Sequence, residues 1–235
     1  NILNSRGPDE IGCTRIAGGH AIQSRLNISG NSAGSQPLTS DCGRFVLLFN
    51  GEIYNFDALN TNLSLIKDAT KVCDTTVLMA GIIRYGESFF SKLIGMFAIV
   101  FIDKLEMKVT FCRDRYGIKP LFLFQDAGSN AIILSSQQRL ILSRFSNECV
   151  ASEKGAQHFL RYGYVGQSPI MENCETVEPG KVYEYSFGNK IVFLKVSQIS
   201  RGCDRSDLPV SERLLRSVDL HTRDNQLYTL FLSGG

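Results

Sequence analysis

The sequence predicts an α+β protein whose central strands are covered on both faces. Phe45-Val46-Leu47-Leu48-Phe49 is a continuous apolar run, the pattern of a strand with no solvent side. Residues 96–102 are nearly all apolar, and the apolar pattern resumes at 109–112 after a polar turn at Asp103-Lys104, which reads as a buried hairpin. Between these strands, Phe56, Leu59, Leu63 and Ile66 fall at helical spacing across residues 55–67. A second helix begins near Asp74, with Val77, Leu78, Ile82 and Tyr85 on one side. Helices with a single apolar stripe need a sheet face to bury it against, which makes a layered fold.

Bulk properties narrow the function classes. At 235 residues the chain holds one large domain, or one domain and the edge of another. A hydrophobic content of 43%, a charged content of 20% and a net charge of +2 describe an ordinary globule. Basic residues are dispersed without interleaved aromatics, so nucleic acid is not an expected partner. The longest apolar run, at 96–102, is far too short for a membrane span, so no membrane partner is expected either. Seven cysteines (Cys13, Cys42, Cys73, Cys112, Cys149, Cys174 and Cys203) lie far apart without a C-x-x-C pair. That spacing implies reduced thiols in a cytoplasmic protein and no metal site, with all seven expected as packing residues.

Taken in order, residues 12–28 read as strands around a Gly18-Gly19 turn, with Leu26 and Ile28 on one strand face and Arg25 and Asn27 on the other. Gly30-Asn31-Ser32-Ala33-Gly34 fits the G-x-S-x-G nucleophile elbow, but the following Ser35-Gln36-Pro37-Leu38 lacks helical periodicity, so the match is fortuitous. Asn50-Gly51-Glu52 supports two readings. As an Asn-Gly pair it is a hairpin turn. At the end of a buried strand it is a reaction centre, where the Asn50 side chain and the Gly51 backbone can each donate an N–H to an oxyanion. Asp74 is placed to cap its helix. Arg113-Asp114-Arg115-Tyr116-Gly117 reads as a solvated turn, residues 132–134 as a strand and residues 158–164 as a helix end. Pro179-Gly180-Lys181 turns into strands near 182–185 and 191–194. Residues 200–209 form a linker, Ser211 caps a helix carrying Leu214, Leu215 and Val218 with His221 at its end, and 228–232 is a strand.

A set of short motifs then points to a family. Asn50-Gly51-Glu52-Ile53-Tyr54-Asn55 resembles the NGEIYN signature of glutamine-dependent asparagine synthetases. Further segments match in the same order: Arg6-Gly7-Pro8-Asp9, Arg25-Leu26-Asn27-Ile28, Gln36-Pro37, Asp74-Thr75, Gly95-Met96-Phe97-Ala98, Arg113 through Leu121, Pro179-Gly180 and Leu232-Ser233-Gly234-Gly235. Collinear order along the whole chain is what makes the resemblance specific. Two departures stand out: Thr76 and Gln137 replace glutamates usual in the family.

The resemblance implies a four-layer α/β/β/α N-terminal-nucleophile hydrolase sandwich over residues 1–195, and over 196–235 a linker and the start of an α/β ATP-pyrophosphatase domain. Arg25 would take the α-carboxylate of glutamine, with Leu26 and Ile28 also binding glutamine. Glu52 and Asp74 would hold its α-ammonium, and Asn50 with Gly51 would form the oxyanion hole. Leu232, Ser233, Gly234 and Gly235 would open an ATP loop, with Mg2+ in the synthetase part and no cofactor in the glutaminase. The nucleophile would be an N-terminal cysteine upstream of Asn1, its own α-amine acting as base. The implied substrates are glutamine, aspartate and ATP, and a homodimer is among the expected assemblies. An amidotransferase for another carboxylic acid and a non-catalytic scaffold are the alternatives.

Overall fold

The structure is a computed structural model describing residues 7–16, 18–26, 34–126, 128, 131–145, 150–165, 170–187, 191–199 and 208–222. It divides into two compact units, Asn1–Ser200 and Arg201–Gly235.

The first unit is built on a six-stranded antiparallel sheet. Its strands are β3 (Leu38–Thr39), β4 (Phe45–Ile53), β5 (Gly95–Asp103), β6 (Lys108–Arg113), β10 (Lys181–Phe187) and β11 (Ile191–Gln198), in the order β11-β10-β6-β5-β4-β3. Strands β4, β5 and β6 pair through their length, with Asn50 opposite Ala98 and Gly51 opposite Phe97. Their apolar runs are used on both faces, as the sequence implied. Leu47, Phe49 and Ile53 of β4 join Phe97, Ile99 and Phe101 of β5 in one core. Val46, Ala98, Ile102, Val109 and Phe111 belong to a second core on the opposite face. Each such fully buried side chain contributes on the order of 1.5–3 kcal/mol of transfer free energy.

Two helices cover the first face: α1 (Phe56–Leu63) and α2 (Asp74–Tyr85), which bury Leu59, Val77, Leu78 and Ile82. The other face receives a second layer of strands. Here β7 (Phe122–Asp126) lies between β8 (Ala131–Ser135) and β9 (Cys174–Thr176), and a separate hairpin joins β1 (Glu10–Ile16) to β2 (Gly19–Arg25). Leu123 and Ala21 carry these elements into the second core. Helix α3 (Gln138–Phe145) seals the outside, its Ile141 packed with Phe124, Met171 and Cys174. Helix, sheet, sheet, helix is the four-layer order that the family resemblance implied.

Local details correct several expectations. Strands β3, β7 and β9 and helix α3 were not expected. Helix α4 (Glu153–Tyr162) is complete, not a helix end, and begins at Ser152, whose Oγ accepts the Gly155 N–H at 3.2 Å. Strand β2 stops at Arg25, so Leu26 lies beyond it and is 52% exposed. In the second unit, α5 (Val210–His221) takes Pro209 as its cap residue, so Ser211 sits within the helix and does not cap it. His221 donates from Nδ1 to the Ser217 carbonyl at 2.6 Å. The expected strand at 228–232 and most of the expected linker fall outside the described residues.

The turn after β6 overturns the solvated reading. Arg113 and Asp114 are 4% and 1% exposed. The Arg113 guanidinium donates to the carbonyls of Lys119, Val177 and Gly117 at 2.7, 2.8 and 2.6 Å. Asp114 accepts the amides of Tyr116 and Ile118 on one oxygen and those of Phe97 and Lys119 on the other. Both charges are thus compensated by backbone dipoles, the condition for burying them.

Candidate functional site

Asn50, Gly51 and Glu52 lie inside β4, so the turn reading fails. Gly51 adopts φ +148°, and a Cβ there would come within 2.0 Å of the Met96 carbonyl oxygen. Glycine is therefore required by the neighbouring strand as well as by any ligand. The direction of its N–H follows from the ladder. Phe97, opposite Gly51, spends its N–H and C=O on Asp114, on the β6 side. Phe49, two residues before Gly51, turns both groups the other way: its N–H donates to Gln36 Oε1 and its C=O accepts from Gln23 Nε2, each at 2.6 Å. By the two-residue strand period, the Gly51 N–H points toward that same edge. Strand β3 pairs with β4 only at Leu47 and Val46 among the described residues, so it stops short of Gly51.

By the same alternation Leu48, Asn50 and Glu52 present side chains to the face away from α1 and α2. A cavity of about 150 Å³ opens there, lined by Gln23, Leu48, Asn50, Val100, Ser136 and Gln137 among others. The departure at Gln137 thus places a neutral amide in the cavity that Asn50 borders, where the family's glutamate would place a charge.

Arg25 and Asp74 lie near each other at the end of β4. The Asp74 carboxylate accepts the Thr75 amide at 2.7 Å and the Thr75 hydroxyl at 3.2 Å. It also accepts the Ile53 amide and lies in the field of the Arg25 guanidinium. Burial pushes its pKa up, against the pull of those hydrogen bonds and of Arg25. The Arg25 guanidinium and the Thr75 hydroxyl both close on Gly34, 3.1 and 3.6 Å from the position its Cβ would take. Arg25 is 12% exposed and pairs with Glu10 at 3.6 Å, its register partner across β1–β2. Glu10 in turn accepts the Ser35 hydroxyl at 3.3 Å. The Gly7-Pro8-Asp9 segment lies on the same strand end, where the Asp9 amide donates to the Arg25 carbonyl at 3.2 Å.

Asp74 is the first residue of α2, and Cys73 holds the cap position. The Cys73 amide donates to Thr76 Oγ1 at 3.0 Å, and that hydroxyl reaches the Lys71 carbonyl at 2.7 Å. Thr76, the other departure, is therefore consumed in closing the helix end. Glu52 is exposed. Its charge, after burial and together with Asp114, pushes the Tyr54 phenol up to about 12, so Tyr54 is neutral at pH 7.

Of the other candidates, Ile28, Leu232, Ser233, Gly234 and Gly235 lie outside the described residues. The expectation that every cysteine packs inside holds for Cys73, Cys112 and Cys174, whereas Cys13 and Cys42 are exposed; Cys149 and Cys203 lie outside the described residues. Burial pushes the Cys112 thiol far up, away from nucleophilic use. Among the described residues no group of three His, Cys, Asp or Glu side chains could hold a metal ion, and no helix is long and apolar enough to cross a membrane. Sequence reading missed Gln23, Gln36 as an anchor, and Glu10. Only the Gln36-Pro37 motif carried any signal for them.

Comparison with known proteins identifies the family. Over its full length the chain is 27% identical to a glutamine-hydrolysing asparagine synthetase of Bacillus subtilis, and covers 38% of that protein. It is 37% identical, over 99% of its length and 38% of the relative, to a Schizosaccharomyces pombe protein of the glutamine-hydrolysing asparagine synthetase type. The chain thus spans well under half the length of these relatives. The solved structure of glutamine phosphoribosylpyrophosphate amidotransferase from B. subtilis superposes on 77% of this chain and 35% of its own, with a TM-score of 0.50 at 20% identity, a likeness of fold. The glutamine amidotransferase domain family matches residues 1–193, and the chain belongs to that family.

Proposed function

We propose that this chain is the glutamine-hydrolysing part of an ATP-dependent asparagine synthetase. One observation carries the reading: Arg25 and the Asp74 carboxylate converge at the end of the strand that bears Asn50, Gly51 and Glu52. One guanidinium and two carboxylates complement the carboxylate and ammonium of a free α-amino acid. Two N–H donors on the same strand suit the oxyanion formed when its side-chain carboxamide is attacked. In this reading Arg25 grips the α-carboxylate of glutamine, while Asp74 and Glu52 hold the ammonium; the resemblance adds Leu26 and Ile28 to the glutamine-binding set. Asn50 Nδ2 and the Gly51 amide bind the developing oxyanion.

The attacking group, following the family resemblance, is the thiol of an N-terminal cysteine ahead of Asn1, with its α-amine as base. Sulfur adds to the carboxamide carbon, the C–N bond breaks, and ammonia leaves with the proton that the amine carried. Water then cleaves the thioester to give glutamate. The ammonia amidates an aspartyl-adenylate made from aspartate and ATP with Mg2+, in a synthetase part that the Leu232–Gly235 loop would open. The full-length protein should release glutamate from glutamine, and form asparagine when aspartate, ATP and Mg2+ are supplied. Glutamate release without asparagine would leave the glutaminase and reassign the acceptor; no glutamate release would overturn the reading.

A further inference from the structure

We propose that Gln23 and Gln36 are positioning residues for the oxyanion donors: their side chains stand in for a missing strand and lock β4 where Asn50 and Gly51 leave it. The inference rests on the glutaminase reading above. Strand β3 pairs with β4 at Thr39–Val46 and Leu38–Leu47 and then ends. Gln36 sits two residues before Leu38, in register with Phe49, but it does not continue the backbone ladder. Its side chain accepts the Phe49 N–H at 2.6 Å, and Gln23, reaching across from β2, donates to the Phe49 C=O at 2.6 Å. Both backbone groups of Phe49 are thus bonded by side-chain amides, as a strand partner would bond them.

The consequence falls on the next two residues. The Phe49 carbonyl belongs to the peptide plane that carries the Asn50 N–H, and on the other side Asn50 is paired with Ala98 of β5. With the plane fixed from both sides, the Asn50 side chain leaves the strand in one direction, into the cavity that Gln23 also lines. The Gly51 N–H emerges at the edge one step past the clamp. Gln36 is 7% exposed, so its side chain is largely withdrawn from water. A polar side chain that deep at a strand edge reads as a built feature, since an unpaired Phe49 amide there would be costly.

The clamp touches no substrate, so its loss should act through donor placement. In the full-length protein, Gln23→Leu removes the donor while keeping the volume. It should lower kcat for glutamate release by roughly 10- to 100-fold, the scale of a misplaced reacting group, with KM for glutamine nearly unchanged. In an Asn50→Ala background the same change should cost much less, because the two act as a unit. Gln36→Leu should accelerate hydrogen exchange at the Phe49 amide, a readout independent of turnover. Wild-type kcat in Gln23→Leu, or an equal loss in both backgrounds, overturns the positioning role, as does unchanged Phe49 exchange in Gln36→Leu. A wild-type protein that releases no glutamate fails the glutaminase reading and takes the positioning role with it. Phe49 exchange still reports in that case whether the strand is clamped.

Discussion

Gly51 meets two demands with one missing side chain. Its Cβ would overlap the Met96 carbonyl of β5, and its φ of +148° is one that other residues adopt only under strain. Gly51→Ala should therefore destabilise the domain by about 2–5 kcal/mol, overpacking and backbone strain combined, read as a lowered urea midpoint. An unchanged midpoint would mean that β5 yields easily and that the glycine serves the ligand only. Asn50 is a different case. It is absent from the positive-φ residues among those described, so no backbone strain accounts for it. Asn50→Ala and Asn50→Gly both remove the side-chain donor, and each should lower kcat by roughly 10²–10³-fold with little change in KM. Equal turnover in wild type and Asn50→Gly would end the oxyanion role.

At the scale of elements, legibility in the sequence followed the range of the interactions. Strands β4, β5 and β6 were readable because burial on both faces leaves an uninterrupted apolar run. Helices α1 and α2 were readable from periodicity. The two-residue β3 has too little sequence for any pattern, and β7, β9 and α3 are placed by contacts with segments far along the chain. Asn50-Gly51 looked like a turn because local propensity says so, and pairing with β5 overrides it. Arg113 looked solvated because its partner carbonyls, Val177 above all, are distant in sequence. The Arg25–Asp74 approach was available only through the family resemblance, since nothing local to either residue announces it.

A testable ion pair links the residue before β4 to the end of β5. Arg44 bonds Asp103 in a bidentate way, at 2.8 and 2.6 Å, and Asp103 also accepts the Leu105 and Glu106 amides. The Arg44 fork holds the Asp103 carboxyl below the usual carboxylate range. Because the folded value lies below the unfolded one of about 3.9, the folded state binds fewer protons there. The stabilisation is present above pH ~4 and is lost as pH falls through the folded value. Arg44→Ala should shift acid unfolding, followed by circular dichroism, to higher pH. Superimposable acid titrations would show that the pair does not contribute.

On the scale of the whole molecule, one sheet serves two cores, and the candidate site sits where that sheet's best-held strand runs out. Rigidity and recognition are thereby separated: β4 is fixed by packing on both faces, while Arg25 and Asp74 arrive from β2 and α2. In the proposed synthetase this arrangement should make glutamine use separable from synthesis. Arg25 is 12% exposed, so removing it leaves a desolvated substrate carboxylate without its fork, and Arg25→Ala should cost about 2–5 kcal/mol of glutamine binding. Glu10 at 3.6 Å cannot compensate, because it carries the charge of the substrate group itself. Asp74→Asn should weaken glutamine binding too, since it removes one of two charges facing the ammonium. Both variants of the full-length protein should still make asparagine from aspartate, ATP and added ammonia at near wild-type rates, because ammonia enters downstream of this pocket. Parallel loss of glutamine- and ammonia-dependent synthesis would place Arg25 and Asp74 in the stability of the fold, outside recognition.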